Sequence, residues 1–204
     1  PTALVRRRWP EVVVGEGTVQ AWAVGSGGGG DAADRLARVA ADGVPLVVDA
    51  DALTAYAEQR PSGAPALLTP HAGELARLAG TDRDDVEARR LHHARAVARD
   101  LSAVVLLKGS TTVVARPDGR VRVNPTGTPV LATAGTGDVL AGLCGALLAG
   151  GLDPFDAGSA GAWLHGLAGR LAADGGRPVS ATDVLDALPR AVAALARGGA
   201  KLGG

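Results

Sequence analysis

The chain has 204 residues, 47% of them hydrophobic, and its 21 basic and 21 acidic side chains give a formal net charge of zero. This length supports one sizeable hydrophobic core but not two, so we interpret residues 1–204 as a single domain. A balanced charge provides no global positive field for holding nucleic acid or an anionic membrane, which argues against both classes of partner.

The cysteine and methionine contents bear on compartment and completeness. Cys144 is the single cysteine, so an internal disulfide is excluded and we predict a reducing compartment, the cytoplasm. No run reaches the roughly 18 apolar residues of a membrane span, and the N-terminal residues lack the order of a signal peptide. Because the chain starts with Pro1 and contains no methionine, we interpret it as a fragment of a longer protein.

Short apolar runs alternate with longer segments of helical period, a pattern typical of an α/β fold with a mostly parallel sheet. Residues 45–49, 66–69 and 103–108 are largely apolar runs of strand length, as expected of strands covered on both faces. Residues 112–123 place two β-branched runs around the turn tripeptide Pro117-Asp118-Gly119. This arrangement predicts a β-hairpin.

Two helices are predicted from apolar spacing. Residues 84–101 form one helix whose apolar stripe comprises Leu91, Ala94, Val97, Ala98 and Leu101. Residues 139–149 are apolar almost all round and precede Gly150-Gly151, which predicts a buried helix with a glycine at its C-terminal end.

Two further helices are predicted from their start signals. Asp153 followed by Pro154 is typical of an N-cap with proline at the first helical position. Thr182 is predicted to cap the last helix, in which Pro189 introduces a kink.

The densest chemical signal is the segment 124–142, NPTGTPVLATAGTGDVLAG, where glycines lead from a strand into the buried helix. A glycine-lined helix start offers unpaired backbone N–H groups and the positive end of the helix dipole, which together bind phosphate. Gly135 and Gly137 let the backbone approach the anion. The next residue, Asp138, is either a helix cap or a catalytic carboxylate, and the residues alone favour neither.

This segment resembles the NAD(P)H-hydrate dehydratases of the ribokinase-like superfamily. Ala134-Gly135-Thr136-Gly137-Asp138 is similar to the superfamily's anion-hole motif, and the longer string from Asn124 to Gly142 is similar to that of the dehydratases. Residues 48–53 (VDADAL), 69–74 (TPHAGE) and 108–112 (KGSTT) resemble further motifs of the family in the same order. The resemblance spans nearly all of residues 9–195 and implies a three-layer α/β/α fold with a mostly parallel sheet and a β-hairpin near the nucleotide site.

The resemblance also implies roles for individual residues. Asp138 is the expected catalytic base, and Glu74 is expected to help organise Mg²⁺ near the phosphates of ADP or ATP. The glycine-rich loop 25–31 corresponds to a substrate loop of the family, although Ser26 and Gly28 replace its proline and leucine. The expected substrate-binding residues are Gly27, Gly29, Asp49, His71 and Asp138. The expected nucleotide-binding residues are Lys108, Gly109, Ser110, Thr111, Thr112, Asn124, Thr126, Gly135, Thr136 and Gly137.

Each site residue also has a structural interpretation. Asp49 could be a turn residue, Glu74 a solvated first-turn carboxylate favoured by the helix dipole, and His71 a hydrogen-bonded structural histidine. Lys108 is one of only two lysines and ends a buried strand, which favours function. The histidines His92, His93 and His165 match no motif and are interpreted as structural or surface residues, and Cys144 as a core residue.

The implied function is a lyase reaction: dehydration of the S-form of NAD(P)H hydrate through phosphorylation of its hydroxyl and elimination of phosphate. Two alternatives remain open, a ribokinase-like kinase acting on a vitamin precursor and a catalytically impaired nucleotide-binding fragment. The family also implies a homo-oligomer and a fused or separate NAD(P)H-hydrate epimerase. Residues that precede the matched motifs in the family are missing here, so we expect an N-terminally truncated domain.

Overall fold

A computed structural model describes residues 2–15, 17–27 and 29–199. Its six strands form one sheet in the order β1-β2-β3-β4-β5-β6. The strands are β1 Trp22–Val24, β2 Leu46–Val48, β3 Ala66–Leu68, β4 Val104–Leu107, β5 Thr112–Ala115 and β6 Val121–Asn124. The helices are α1 Thr2–Arg8, α2 Ala32–Ala40, α3 Ala52–Gln59, α4 Ala72–Ala79, α5 Arg83–Ala88, α6 Arg90–Asp100, α7 Thr136–Ala149, α8 Pro154–Ala172 and α9 Ala181–Gly199.

The sheet is parallel from β1 to β4 and antiparallel from β4 to β6. The three runs predicted as buried strands are β2, β3 and β4, and the predicted hairpin is formed by β5 and β6. The prediction of an α/β fold with a mostly parallel sheet is therefore confirmed. Each parallel crossover carries at least one helix, as such connections require.

Alternate strand residues divide the core between the two faces of the sheet. Val48 and Leu68 pack with the helices from α2 to α6. Their strand neighbours Val47 and Leu67 pack with α7 and α8 on the other face, and α9 covers α8. This alternation follows from the period of two in a β-strand, and it confirms the three-layer arrangement.

The predicted helix at residues 84–101 is wrong as a single element. The structure divides it into α5 and α6 at Arg89, whose φ and ψ are −129° and 43°, and Leu91 is exposed rather than part of the core. Directly after the break, Arg90 reaches the end of β4, where Nη2 donates to the carbonyl oxygens of Leu107 and Lys108. These tertiary contacts supply donors to backbone carbonyls that need partners.

The helix ends test the predicted caps. The side chain of Asp153 accepts hydrogen bonds from the backbone N–H groups of Phe155 and Asp156, so its predicted role as N-cap of α8 is confirmed. The prediction of Thr182 as the cap of α9 is wrong, because α9 already begins at Ala181. Ser180, directly ahead of the helix, exchanges hydrogen bonds with Asp183 in the first turn. Pro189 lies within α9.

No helix in the described parts of the chain is both long and apolar enough to cross a membrane.

Candidate active site

The carboxyl ends of the parallel strands carry most of the predicted site residues. Because β1 to β4 are parallel, the residues that follow them meet at one edge of the sheet. Ser26 lies two residues after β1, Asp49 directly after β2, and Lys108 directly after β4. Open α/β sheets bind ligands at this edge.

Lys108 links two of the predicted motifs. Its Nζ lies 2.8 Å from Asp49 Oδ1 and 3.9 Å from Glu74 Oε2. Asp49 is only 3% exposed, and its Oδ1 also accepts a hydrogen bond of 2.8 Å from the Thr69 hydroxyl. A buried carboxylate requires such partners. Asp49 is therefore more than a turn residue, because it pairs with Lys108 and Thr69.

The start of α7 has the geometry of an anion site. Gly135 is the N-cap residue in a left-handed conformation with φ of 84°, which favours glycine. A Cβ added at Gly137 would meet Lys108 Nζ at 3.5 Å, so the first turn of α7 lies beside an ammonium group. The helix dipole and this positive charge both favour a bound phosphate.

Asp138 lies in the first turn of α7 and is exposed to solvent. Because Gly135 occupies the N-cap position, the interpretation of Asp138 as the helix cap is wrong. Its Oδ1 accepts a hydrogen bond of 2.5 Å from the Ser26 hydroxyl. The carboxylate therefore contacts the predicted substrate loop.

The substrate loop begins at a close contact between two strand ends. Gly25 is buried with φ of +120°, and a Cβ there would lie 1.7 Å from the carbonyl oxygen of Asp49. Gly27 has φ of +63°, and Gly29 begins a 3₁₀ turn that ends at Asp31. Gly28, one of the two departures from the family loop, lies outside the described residues.

His71 and Glu74 form a capping box at the start of α4. The backbone N–H of His71 donates to Glu74 Oε2 at 2.7 Å, and the backbone N–H of Glu74 donates to His71 Nδ1 at 3.2 Å. The structural interpretation of His71 is thus met, although His71 also lines the cleft described next. Glu74 does lie in the first turn of α4, but at 8% exposure it is buried rather than solvated. A capping role and a ligand-binding role are compatible for the exposed His71 ring.

A cleft of about 710 Å³ adjoins Lys108 and the start of α7. Six predicted nucleotide-binding residues line it, namely Lys108, Gly109, Ser110, Thr112, Thr136 and Gly137. A volume of several hundred cubic ångströms is that of small-molecule and cofactor sites. The cleft therefore brings the KGSTT and GTGD motifs together around one ligand-sized space.

The remaining predicted nucleotide residues support the walls. Asn124 is buried, and its Oδ1 accepts a hydrogen bond of 3.0 Å from the Thr126 hydroxyl. The carbonyl oxygen of Thr111 accepts from Arg90 Nη2. Among the described residues, those that line the cleft do not include four predicted nucleotide-binding residues, namely Thr111, Asn124, Thr126 and Gly135.

His165, interpreted from the sequence only as a structural or surface residue, lines the cleft. It is 6% exposed, and burial, together with the positive charge of Lys108, lowers its pKa to about 4. Its Nε2 is buried and makes no hydrogen bond within the described structure. The next residue, Gly166, packs so closely on Thr126 that a Cβ would lie 2.1 Å from its hydroxyl.

Magnesium fits this site as a phosphate-bound ion. Within residues 2–15, 17–27 and 29–199, no three His, Cys, Asp or Glu side chains form a metal-ligating group. Mg²⁺ commonly uses one or two carboxylates and completes its shell with substrate phosphates and water. Glu74, whose Oε2 lies 3.9 Å from Lys108 Nζ, is the predicted carboxylate that suits this mode.

The family model described as NAD(P)H-hydrate dehydratase matches residues 6–190. A bifunctional NAD(P)H-hydrate repair enzyme from Moorella thermoacetica is 51% identical over 72% of this chain and 29% of that protein. An ADP-dependent (S)-NAD(P)H-hydrate dehydratase from Neisseria meningitidis is 44% identical over 74% of this chain and 54% of that protein. The chain thus spans well under two thirds of the length of these curated relatives.

Solved structures share the fold. An ADP/ATP-dependent NAD(P)H-hydrate dehydratase from Bacillus subtilis, co-crystallised with ATP and Mg²⁺, matches with a TM-score of 0.79 and 30% identity over 93% of this chain and 74% of that one. A ribokinase-like superfamily protein from Enterococcus faecalis matches with a TM-score of 0.71 and 29% identity over 84% of this chain and 62% of that one. The predicted ribokinase-like architecture is confirmed.

Proposed function

The chain belongs to the NAD(P)H-hydrate dehydratase family, and from this premise we propose that it converts the S-form of NADH hydrate or NADPH hydrate to the normal reduced cofactor. ADP or ATP supplies the driving phosphoryl group. The names of the relatives from Neisseria meningitidis and Bacillus subtilis support the substrate and both nucleotides. The overall reaction is carbon–oxygen lyase chemistry.

Asp138 is the proposed base. The hydroxyl of the hydrated nicotinamide ring takes the place beside Oδ1 that the Ser26 hydroxyl has in this structure. Asp138 removes its proton as the oxygen attacks the terminal phosphorus of the nucleotide, so the new P–O bond forms while the bond to the departing nucleotide breaks. The observation that carries this proposal is the position of Asp138 between the substrate loop and the phosphate-binding start of α7.

The positive groups of the cleft hold the phosphates during transfer. The backbone N–H groups at the start of α7 and the Lys108 ammonium lie together, and both favour the charge that develops on the moving phosphoryl group. Asp49 positions Lys108 through their ion pair. When bound to the nucleotide, Mg²⁺ supplies further charge neutralisation, with Glu74 as the proposed carboxylate nearby.

Elimination completes the reaction. Phosphate is a better leaving group than hydroxide, and the lone pair of the ring nitrogen expels it with cleavage of the C–O bond. Loss of a proton from the adjacent ring carbon then restores the ring double bond. The products are the reduced cofactor, inorganic phosphate and the nucleotide with one phosphate fewer.

The first experiment mixes the purified chain with chemically hydrated NADH, Mg²⁺ and either ADP or ATP, and follows the return of reduced-nicotinamide absorbance together with phosphate release. Recovery with either nucleotide supports the proposal. A stable phosphorylated product with no phosphate release would support the kinase alternative instead, and nucleotide binding without turnover would support the binding-only fragment.

The Asp138→Asn variant tests the proposed base. We expect its turnover to fall by about 100- to 10,000-fold, the usual contribution of general base catalysis, with nucleotide affinity measured by calorimetry nearly unchanged. Asp84→Asn is the matched control, because Asp84 is an exposed carboxylate in the first turn of α5. Turnover near that of the control would contradict the assignment of Asp138.

The proposal extends to partners and compartment. Relatives that are bifunctional repair enzymes support an NAD(P)H-hydrate epimerase, fused or separate, that supplies the S-form. We also propose a homo-oligomer and a cytoplasmic location, which suits the free thiol of Cys144.

A further inference from the structure

The catalytic base proposed above already has a hydroxyl partner within the chain. Ser26 Oγ donates to Asp138 Oδ1 at 2.5 Å, across 112 residues of sequence. Both side chains are exposed, so this contact does not result from burial. The substrate hydroxyl needs an oxygen of the same carboxylate, because proton removal requires a hydrogen bond to the base.

The backbone fixes the position of Ser26. The preceding residue, Gly25, is buried, and its φ of +120° and its contact with the Asp49 carbonyl exclude any side chain. The following residue, Gly27, has φ of +63°. Ser26 is therefore held at the end of β1 by a strand contact that only glycine permits, and its hydroxyl faces the first turn of α7.

Two hydroxyls of the predicted motifs are directed elsewhere. The Thr136 hydroxyl lies 2.6 and 2.8 Å from the carbonyl oxygens of Leu131 and Thr133 and donates its one proton there. The Thr69 hydroxyl donates to Asp49 Oδ1. Ser26 instead places its oxygen next to a carboxylate that follows Gly137 directly, and Gly137 belongs to the proposed phosphate site. A hydroxyl, a base and a phosphate site in this order form the arrangement of a phosphoryl acceptor.

We propose that Ser26 is itself a phosphoryl acceptor when ATP is bound and the hydrate is absent. Ser26 Oγ attacks the γ-phosphorus, Asp138 takes the hydroxyl proton, and the bond between the γ-phosphorus and the bridging oxygen breaks, releasing ADP. The product is a phosphoserine in the substrate loop. This inference rests on the proposed function, because it uses the same base and the same phosphate site.

The modification opposes the main reaction. A phosphoserine carries close to two negative charges at neutral pH, and here they stand beside the Asp138 carboxylate and in the place of the substrate hydroxyl. The hydrate and Ser26 therefore compete for the base. Saturating hydrate should suppress phosphorylation of Ser26, and phosphorylated chains should not turn over hydrate.

The test incubates the full chain with ATP and Mg²⁺ without hydrate and measures its intact mass, followed by peptide mapping of residues 25–31. Wild type should gain the mass of a single phosphoryl group. Ser26→Thr should also gain this mass, because it keeps a hydroxyl. Ser159→Ala is the control and should gain it too, because the Ser159 hydroxyl donates to the carbonyl oxygen of Phe155 within α8. Ser26→Ala and Asp138→Asn should lose it completely.

Two results would overturn the inference: an unmodified wild-type chain under conditions in which calorimetry shows bound ATP, or a mass gain that persists in Ser26→Ala. The hydrate assay separates this outcome from the proposed function. Turnover of hydrate, with no modification of Ser26 in the incubation that lacks hydrate, rejects only the inference. Modification of Ser26 in wild type, together with no turnover of hydrate by Ser26→Ala, which cannot be blocked at this position, rejects the dehydratase and leaves the acceptor.

Discussion

His165 is a buried ionisable residue in the wall of the cleft, and its protonation bears on the stability of the whole domain. Its pKa falls to about 4 from an ordinary value of 6.5, chiefly through burial. The folded chain therefore keeps a neutral imidazole at pH values at which the unfolded chain binds a proton. Below an ordinary histidine pKa, protonation of the unfolded state pulls the equilibrium towards unfolding.

The expected result is a loss of stability as the pH falls from about 6.5 to about 4, reaching about 3 kcal/mol from His165 alone. Above about pH 6.5 the stability that neutral His165 contributes is fully present. Below about pH 4 the histidine is protonated in both the folded and the unfolded chain. Denaturant unfolding at several pH values should show a shallower pH dependence in His165→Asn than in wild type. His92→Asn, which changes an exposed histidine, should keep the wild-type slope, and equal slopes in both variants would contradict this account.

For individual residues, the sequence predicted which side chains belong to the site better than it predicted the contacts between them. Lys108, Asp49 and Asp138 could be predicted as functional from their motifs, but the 2.8 Å pairing of Lys108 with Asp49 spans 59 residues and follows from the strand order of the sheet. The Ser26 hydroxyl at Asp138 was not predicted for the same reason. Such contacts depend on tertiary structure, which local spacing does not encode.

Helix α4 connects a capping motif to the proposed metal chemistry. Glu74 is 8% exposed and uses Oε2 to accept from the His71 backbone N–H, as in other capping boxes. The same oxygen lies 3.9 Å from Lys108 Nζ. Capping needs only an acceptor at this position, whereas organisation of Mg²⁺ needs the negative charge, so the two roles can be separated by substitution.

Glu74→Gln keeps the acceptor and removes the charge. We expect the free energy of unfolding to change by less than about 1 kcal/mol, since glutamine also serves in capping boxes. The Mg²⁺ concentration needed for half-maximal turnover should rise by about 10- to 100-fold, the usual effect of losing a group that orients metal ligands. Glu58→Gln, an exposed carboxylate on α3, is the control, and an unchanged Mg²⁺ requirement in Glu74→Gln would limit Glu74 to capping.

Element prediction succeeded where one local pattern decides the structure. Local sequence patterns predicted the buried strands β2, β3 and β4 from their continuous apolar runs, and they predicted the turn between β5 and β6. The break between α5 and α6 was not predicted, because no glycine or proline in residues 84–101 marks it, and the predicted apolar stripe begins only after it, at Leu91. Arg90, the first residue of α6, donates to carbonyl oxygens at and after the end of β4, and these distant acceptors are not evident from local periodicity.

The cleft joins the two helical layers of the molecule. His71, Arg83 and Glu87 line it from the layer formed by α2 to α6, while Thr136, Leu140 and His165 line it from the layer of α7 and α8. The two layers cover opposite faces of the sheet. A ligand in this cleft contacts both layers at once, so its binding energy should stabilise the domain as a unit.

A nucleotide that binds only the folded chain stabilises it by about 2.7 kcal/mol at 100 times its Kd. For a domain of this size, that energy corresponds to a Tm increase of roughly 5–11 °C. We expect this increase with ADP or ATP in the presence of Mg²⁺, and none with Mg²⁺ alone. Hydrogen exchange should slow in the first turns of both α4 and α7, because they face the cleft from opposite layers. Protection confined to α7 and α8 would contradict the bridging position of the nucleotide, even if the Tm rises as expected.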